Sequence, residues 1–194
     1  MRVMGVDPGL ARCGVAVVDG DARRVSLAAE QLVRTSSDLP AGRRLLQVAD
    51  AVSDLLAAWT PDVLAIERLL FNANVRSAMA VAQAVGVILL GAARSGVEVV
   101  EYTPTQVKAT VTGYGDADKA QVQFLIAAQL RVPRGARSAD VADAAAVALC
   151  HLWRSAGAHA GGGDGHGDRL AAAIERAGPG AQVVQRAPSS GGAR

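Results

Sequence analysis

Asp7 closes the apolar run Val3-Met4-Gly5-Val6 and is followed at once by Pro8-Gly9, and Glu67 closes a second run, Val63-Leu64-Ala65-Ile66. Asp140 and Asp143, much later in the chain, stand three residues apart, which on a helix is one face. A buried strand ordinarily carries no charge, because burying an unpaired carboxylate is costly. An Asp-Pro-Gly turn gives Asp7 a plain structural reason, since its side chain could bond neighbouring amides. Asp140, in the first turn of a helix, is favoured by the helix dipole. Neither reason serves Asp143, set among Ala142, Ala144, Ala145 and Ala146 with no basic residue four positions on. Like charges gathered in a partly buried site repel and take up protons unless a cation joins them. Hard divalent ions such as Mg²⁺ use oxygen ligands, and two ions about 4 Å apart can activate a water and stabilise a leaving oxygen in phosphodiester hydrolysis.

Such residues need strands ending at one edge and a helix laid beside them. Strands are expected at 2–7, 14–18 and 24–34, joined by a hairpin turn at Asp19-Gly20-Asp21 and therefore antiparallel. Leu45, Val48, Ala49, Val52, Leu55 and Leu56 fall at helical spacing up to Trp59, where Thr60-Pro61 ends the segment. A strand at 63–67 is followed by a nearly uncharged segment at 76–94, apolar on more sides than one sheet can cover. A fifth strand at 97–102 leads into Thr103-Pro104-Thr105-Gln106, a capping box that opens a short helix through Val111. An amphipathic helix at 118–130, a basic loop at 131–138 and a helix from Ala139 to about Arg154, capped by Ser138, complete the pattern. Strands in meander followed by strand–helix units make an α/β domain with a mixed sheet, and ligands bind where parallel strands end.

The chain has 194 residues, 51% of them hydrophobic and 20% charged, enough for one domain with a core over residues 1–154. A net charge of +2 selects no partner. Cys13 and Cys150 sit in apolar surroundings without metal-ligand spacing and read as core residues of a cytoplasmic protein. The expectation is of no signal peptide and no apolar run of about 18 residues, hence no membrane. Residues 155–194 hold ten of the 21 glycines and little that could bury apolar surface, so a disordered Gly/Ala/Arg-rich tail is expected.

Several segments together resemble the RuvC family of bacterial Holliday-junction endonucleases. They are Gly-Val-Asp-Pro-Gly-Leu-Ala-Arg-Cys-Gly, Leu-Ala-Ile-Glu-Arg, Gln-Val-Lys-Ala-Thr-Val-Thr-Gly, Asp-Lys-Ala-Gln-Val and Ala-Asp-Val-Ala-Asp-Ala-Ala-Ala-Val-Ala, in that order from residue 1 to about 154. The resemblance implies a ribonuclease-H-like five-stranded mixed sheet flanked by helices and a homodimer. It also implies Mg²⁺-dependent paired nicking of four-way DNA junctions, with two ions per site, Mn²⁺ able to substitute, and the RuvA–RuvB branch-migration complex as partner. By motif position Asp7, Glu67, Asp140 and Asp143 take the catalytic, metal-holding places, and Lys108 and Lys119 fall where basic residues contact DNA. Family members often carry an aromatic residue three positions after the glutamate. Here Leu70 stands there and Phe71 follows, and the glycine-rich tail has no counterpart in the family pattern.

Five basic residues against two acids between Lys108 and Arg137 suit phosphate contact. Opening a junction unstacks base pairs, a cost offset by an inserted apolar side chain. Leu70 and Phe71 are the candidate wedges, with Arg76 grouped beside them as a DNA contact. One alternative is a ribonuclease-H-like nuclease acting on another nucleic acid, and a second, non-enzymatic one is a junction-binding scaffold that has lost activity, against which the complete carboxylate set argues. An actin- or hexokinase-like phosphotransferase also begins with a strand, an aspartate and a glycine turn. It would need a second such turn and an adenosine loop, neither of which is found in residues 1–154.

Overall fold

The computed structural model describes residues 1–21, 23–68, 75–113, 115–132 and 138–159. Leu70, Phe71, the basic loop at 133–137 and the segment 160–194 lie outside the described residues. Valine-rich alternation in the first 34 residues builds β1 (Arg2–Asp7), β2 (Arg12–Gly20) and β3 (Val25–Arg34), an antiparallel meander. β2 is longer than expected at both ends: Asp19 and Gly20 still pair with Ser26 and Val25. The turn therefore comes later, where the Asp21 carboxylate accepts the amides of Arg23 and Arg24. β4 (Val63–Glu67) runs parallel to β1, and β5 (Glu98–Tyr102) parallel to β4, giving the order β3-β2-β1-β4-β5. The central strand is buried on both faces. Met4 and Val6 face one core with Val15, Val17, Leu64 and Ile66, while Val3 faces the other with Ala16, Val18 and Ala65. This is the period-two signature of a strand between two layers.

One layer is α1 (Ala41–Trp59) and α2 (Val75–Arg94). α1 buries Val48, Val52 and Leu56 and ends at Thr60 in the left-handed region, φ 42°, where its N–H bonds the Leu56 carbonyl at 2.9 Å. α2 buries Ala84, Ile88 and Ala92, one residue per turn, and leaves Met79 and Leu90 at least half exposed. Contrary to expectation, its window Ser77–Arg94 is long and apolar enough by length and composition to cross a bilayer. The stripe spaced four apart that packs on the sheet is that of a helix lying on a core.

α3 (Pro104–Thr112), α4 (Lys119–Leu130) and α5 (Ala139–His159) form the opposite layer. The expected capping box opens α3, with Thr103 Oγ1 accepting from Gln106 N–H, and a second one at Asp118 and Gln121 opens α4. α5 carries the core: Val141, Ala144, Ala145, Ala148 and Leu152 are all buried, with Cys150 among them. It runs to His159 instead of stopping near Arg154, since Ser155 turns its hydroxyl back onto the His151 carbonyl and does not break the helix. Cys13 is a buried free thiol in the other core.

Candidate active site

Asp7 and Glu67 are the last residues of the adjacent parallel strands β1 and β4, so both carboxylates emerge at one sheet edge. α5 crosses beneath them, and two glycines set how closely. A Cβ on Gly5 would stand 2.1 Å from the Ala144 carbonyl oxygen, and one on Gly14 2.0 Å from that of Asp140. Gly14 is the register partner of Asp7. The helix backbone therefore lies directly on β1 and β2, and its first turn brings Asp140 and Asp143 to the edge where Asp7 ends. The signal lies in the sequence, because a glycine inside a strand marks close backbone approach.

The four carboxylates feel one another. Burial first, then the charges of Glu67, Asp143 and Asp140, push the Asp7 carboxyl up to about 7, with Lys119 opposing. Glu67 is raised by burial and by Asp143, opposed by Lys119 and Lys108. The helix pair is held differently. Both Arg12 Nε, at 2.9 Å, and Arg12 Nη2 donate to Asp140 Oδ2, which lowers the Asp140 carboxyl below the usual range. Lys119 Nζ donates to Asp143 Oδ2 at 2.7 Å and is itself raised by that bond. No described residue donates a hydrogen bond to the side chain of Asp7 or Glu67.

A cleft of about 280 Å³ opens beside these groups, lined by Glu67, Lys108, Lys119 and Asp143 over a floor that includes Val107 and Val122. Lys108 comes from α3 and Lys119 from the first residue of α4, so both expected basic residues reach the site. Arg76 lies in the first turn of α2. Arg12 was not anticipated; it comes from the start of β2 and meets a partner 128 residues away, a contact no local pattern announces.

The donor set is all oxygen, and an ionised Asp7 has no described cation bonded to it, which fits a hard divalent ion. As the side chains stand, no three acidic, histidine or cysteine groups among the described residues are gathered round one point. Two of the four carboxylates face Arg12 and Lys119, and an ion that used them would have to displace those cations.

A mixed five-stranded sheet in this order, with carboxylates from β1, β4 and the last helix meeting at one edge, defines a ribonuclease-H-like nuclease. The family model described as Crossover junction endodeoxyribonuclease RuvC matches residues 3–151, and the chain belongs to the RuvC family of nucleases. The RuvC of Rhodococcus opacus is 50% identical over 156 residues, covering 80% of this chain and 82% of the relative. That of Salinispora arenicola is 47% identical over 178 residues, covering 91% of this chain and 97% of the relative, so its match extends into the segment beyond His159. A structure of T. thermophilus RuvC in complex with Holliday junction substrate superposes with a TM-score of 0.78 at 32% identity, covering 80% of this chain and 95% of the other.

Proposed function

We infer that this chain resolves four-way DNA junctions by paired nicking of phosphodiester bonds in recombination and repair. The observation that carries the reading is the convergence of four carboxylates on one sheet edge, with Asp7 driven to about 7 by burial and its neighbours. A group so perturbed beside a cleft is poised for a cation. Asp7, Glu67, Asp140 and Asp143 would hold two Mg²⁺ ions, with Mn²⁺ able to substitute. Bound there, the ions supply an activated water and neutralise charge on the leaving oxygen.

The protein's own groups do the rest. With its carboxyl raised to about 7, Asp7 is divided between protonated and ionised forms near neutral pH while the site is metal-free, and shifts to the ionised form as positive charge arrives. Asp140 and Asp143 leave their basic partners, and the Lys119 ammonium, freed beside Lys108 in the cleft, is then able to hold the phosphate. Leu70 and Phe71, three and four positions after Glu67 in the sequence, are the apolar side chains for unstacking the junction centre, with Arg76 as a backbone contact at the start of α2. Phe71→Ala is expected to slow cutting of an intact junction and to be rescued by a nicked, flexible one.

A two-fold substrate is cut symmetrically by a two-fold protein. The outward face of α2, with Met79 59% and Leu90 50% exposed, is the apolar surface for a homodimer. Sedimentation as a monomer at micromolar concentration, with or without DNA, would contradict this. The nuclease unit ends with α5, residues 160–194 are dispensable for cutting, and the enzyme works in the cytoplasm with the RuvA–RuvB complex. A labelled four-way junction, a duplex and an RNA, each with and without Mg²⁺, test the whole reading. Junction-selective, metal-dependent nicking is expected; equal cutting of all three, or none, would refute it.

A further inference from the structure

On the β3 side of Asp7, away from the cleft, two locally unfavourable arrangements sit on one rim. Arg12 and Arg34 are direct register partners across β2 and β3, both exposed, and like charges placed opposite each other on a sheet repel. α1 has Pro40 at its N-cap, which offers no side-chain cap, and no acidic residue in its first turn, which instead holds Arg43 and Arg44. Cations there oppose the helix dipole, and the free N–H groups are left to solvent or to an anion.

The two arrangements are tied together. Thr35, next to Arg34, donates its N–H to the Ala11 carbonyl at 3.1 Å and its hydroxyl to the Leu10 carbonyl at 2.5 Å, and accepts from Arg44 Nε at 2.9 Å. From residue 34 to 44 the chain carries Arg34, Arg43 and Arg44 against Asp38 alone, whose carboxylate accepts from the Ser36 hydroxyl at 3.2 Å and pairs with none of the three among the described ion pairs. Arg34 and Arg43 make no ion pair with a described residue. Arg12 continues the rim into the site through Asp140. A row of phosphates would relieve both costs at once, since Arg34 and Arg43, which lack an ion pair with a described residue, would each face an anion, as would the uncapped start of α1. Guanidinium groups spaced along an edge suit the repeating charge of a nucleic-acid backbone.

We propose that Arg12, Arg34, Arg43 and Arg44 form a second backbone-docking rim that holds junction DNA on the β3 side of the site, opposite the face of Lys108 and Lys119. The proposal rests on the junction-nuclease reading and extends it. The test is binding of a labelled four-way junction in Ca²⁺ over a salt series, using the full chain and the double variant Arg34→Gln/Arg43→Gln. The double variant Arg23→Gln/Arg24→Gln, at the other end of the same two strands, is the control. The rim variant is expected to bind about 10- to 100-fold more weakly near 0.1 M salt, with the slope of log K against log salt shallower by about 1–2 and the difference closing towards 1 M. Its melting temperature should hold or rise, because repulsion is removed, and Arg34→Lys/Arg43→Lys should restore the slope. Unchanged slope and affinity in the rim variant, an equal loss in the control, or weaker binding together with a lower melting temperature would each overturn it. Failure of the unmodified protein to bind the junction at all would instead refute the junction-nuclease reading.

Discussion

The two halves of the carboxylate set are held in opposite ways. Asp7 and Glu67, fixed at strand ends and largely withdrawn from water, have no donor among the described residues, and burial raises both. Asp140 and Asp143, on the first turn of α5 and roughly a quarter exposed, are each bonded to a long basic side chain from another element. The strand pair is fixed in the sheet with no cation bonded to it, only the more distant charge of Lys119 and Lys108, whereas the helix pair is accessible and already satisfied. Such a site is closed to casual cations on one side and demands one on the other. On the proposed function, an ion that used the helix pair would have to replace Arg12 and Lys119, which would then be free to face a polyanion.

The largest expected effect comes from removing the demand. Asp7→Asn keeps the shape of the side chain and loses the charge, and Mg²⁺-dependent junction cutting should fall by at least about 10²-fold, while binding of the junction in Ca²⁺ persists. Retained cutting by a folded Asp7→Asn protein would show that the strand pair is a turn feature and break the contrast.

Next is the spacing between the halves. Gly14→Ala would drive a methyl group into the Asp140 carbonyl oxygen. Overpacking of this kind costs about 1–3 kcal/mol, and displacement of the helix pair by about 1 Å can cost about 10²-fold in rate. A denaturant midpoint that falls together with cutting is expected. An unchanged rate at reduced stability would mean that α5 need not sit so close.

The smallest effects concern the cations on the helix pair. Surface ion pairs contribute about 0–1 kcal/mol, so Arg12→Gln or Lys119→Met should barely move the melting temperature. In the absence of DNA, either change should tighten Mn²⁺ binding severalfold, read by titration calorimetry, because the ion no longer competes with a bonded side chain. Weaker Mn²⁺ binding in both would show that the basic residues assist the metal instead of holding its place.

The difference between the halves also explains what could be read ahead of the structure. Asp7 and Glu67 announce themselves locally, as charges closing apolar runs, and the strands, the capping box at Thr103 and the buried face of α5 follow from periodicity. The partners of Asp140 and Asp143 do not: Arg12 meets Asp140 across 128 residues, and only the fold brings β2 onto α5. The span of α5 past Arg154 was missed because a glycine-rich composition was taken to begin at Ser155, where the helix in fact continues. The bilayer-length apolar window of α2 follows from composition, since between Ser77 and Arg94 the chain has Gln83 as its only internal polar side chain and no charge before Arg94.

The central claim, that the strand pair carries an unmet negative charge, is tested most directly by stability against pH. A carboxyl raised from 3.8 to about 7 in the folded protein is most compatible with folding when protonated. Its contribution is fully present below pH ~4 and is lost as pH rises to ~7, by up to about 4 kcal/mol. Chemical denaturation of metal-free wild type and Asp7→Asn from pH 4 to 8 should give a stability difference near zero at the acid end. That difference should grow in favour of Asp7→Asn up to about pH 7 and shrink when Mg²⁺ is added to both. Parallel curves over the whole range, insensitive to Mg²⁺, would contradict the account.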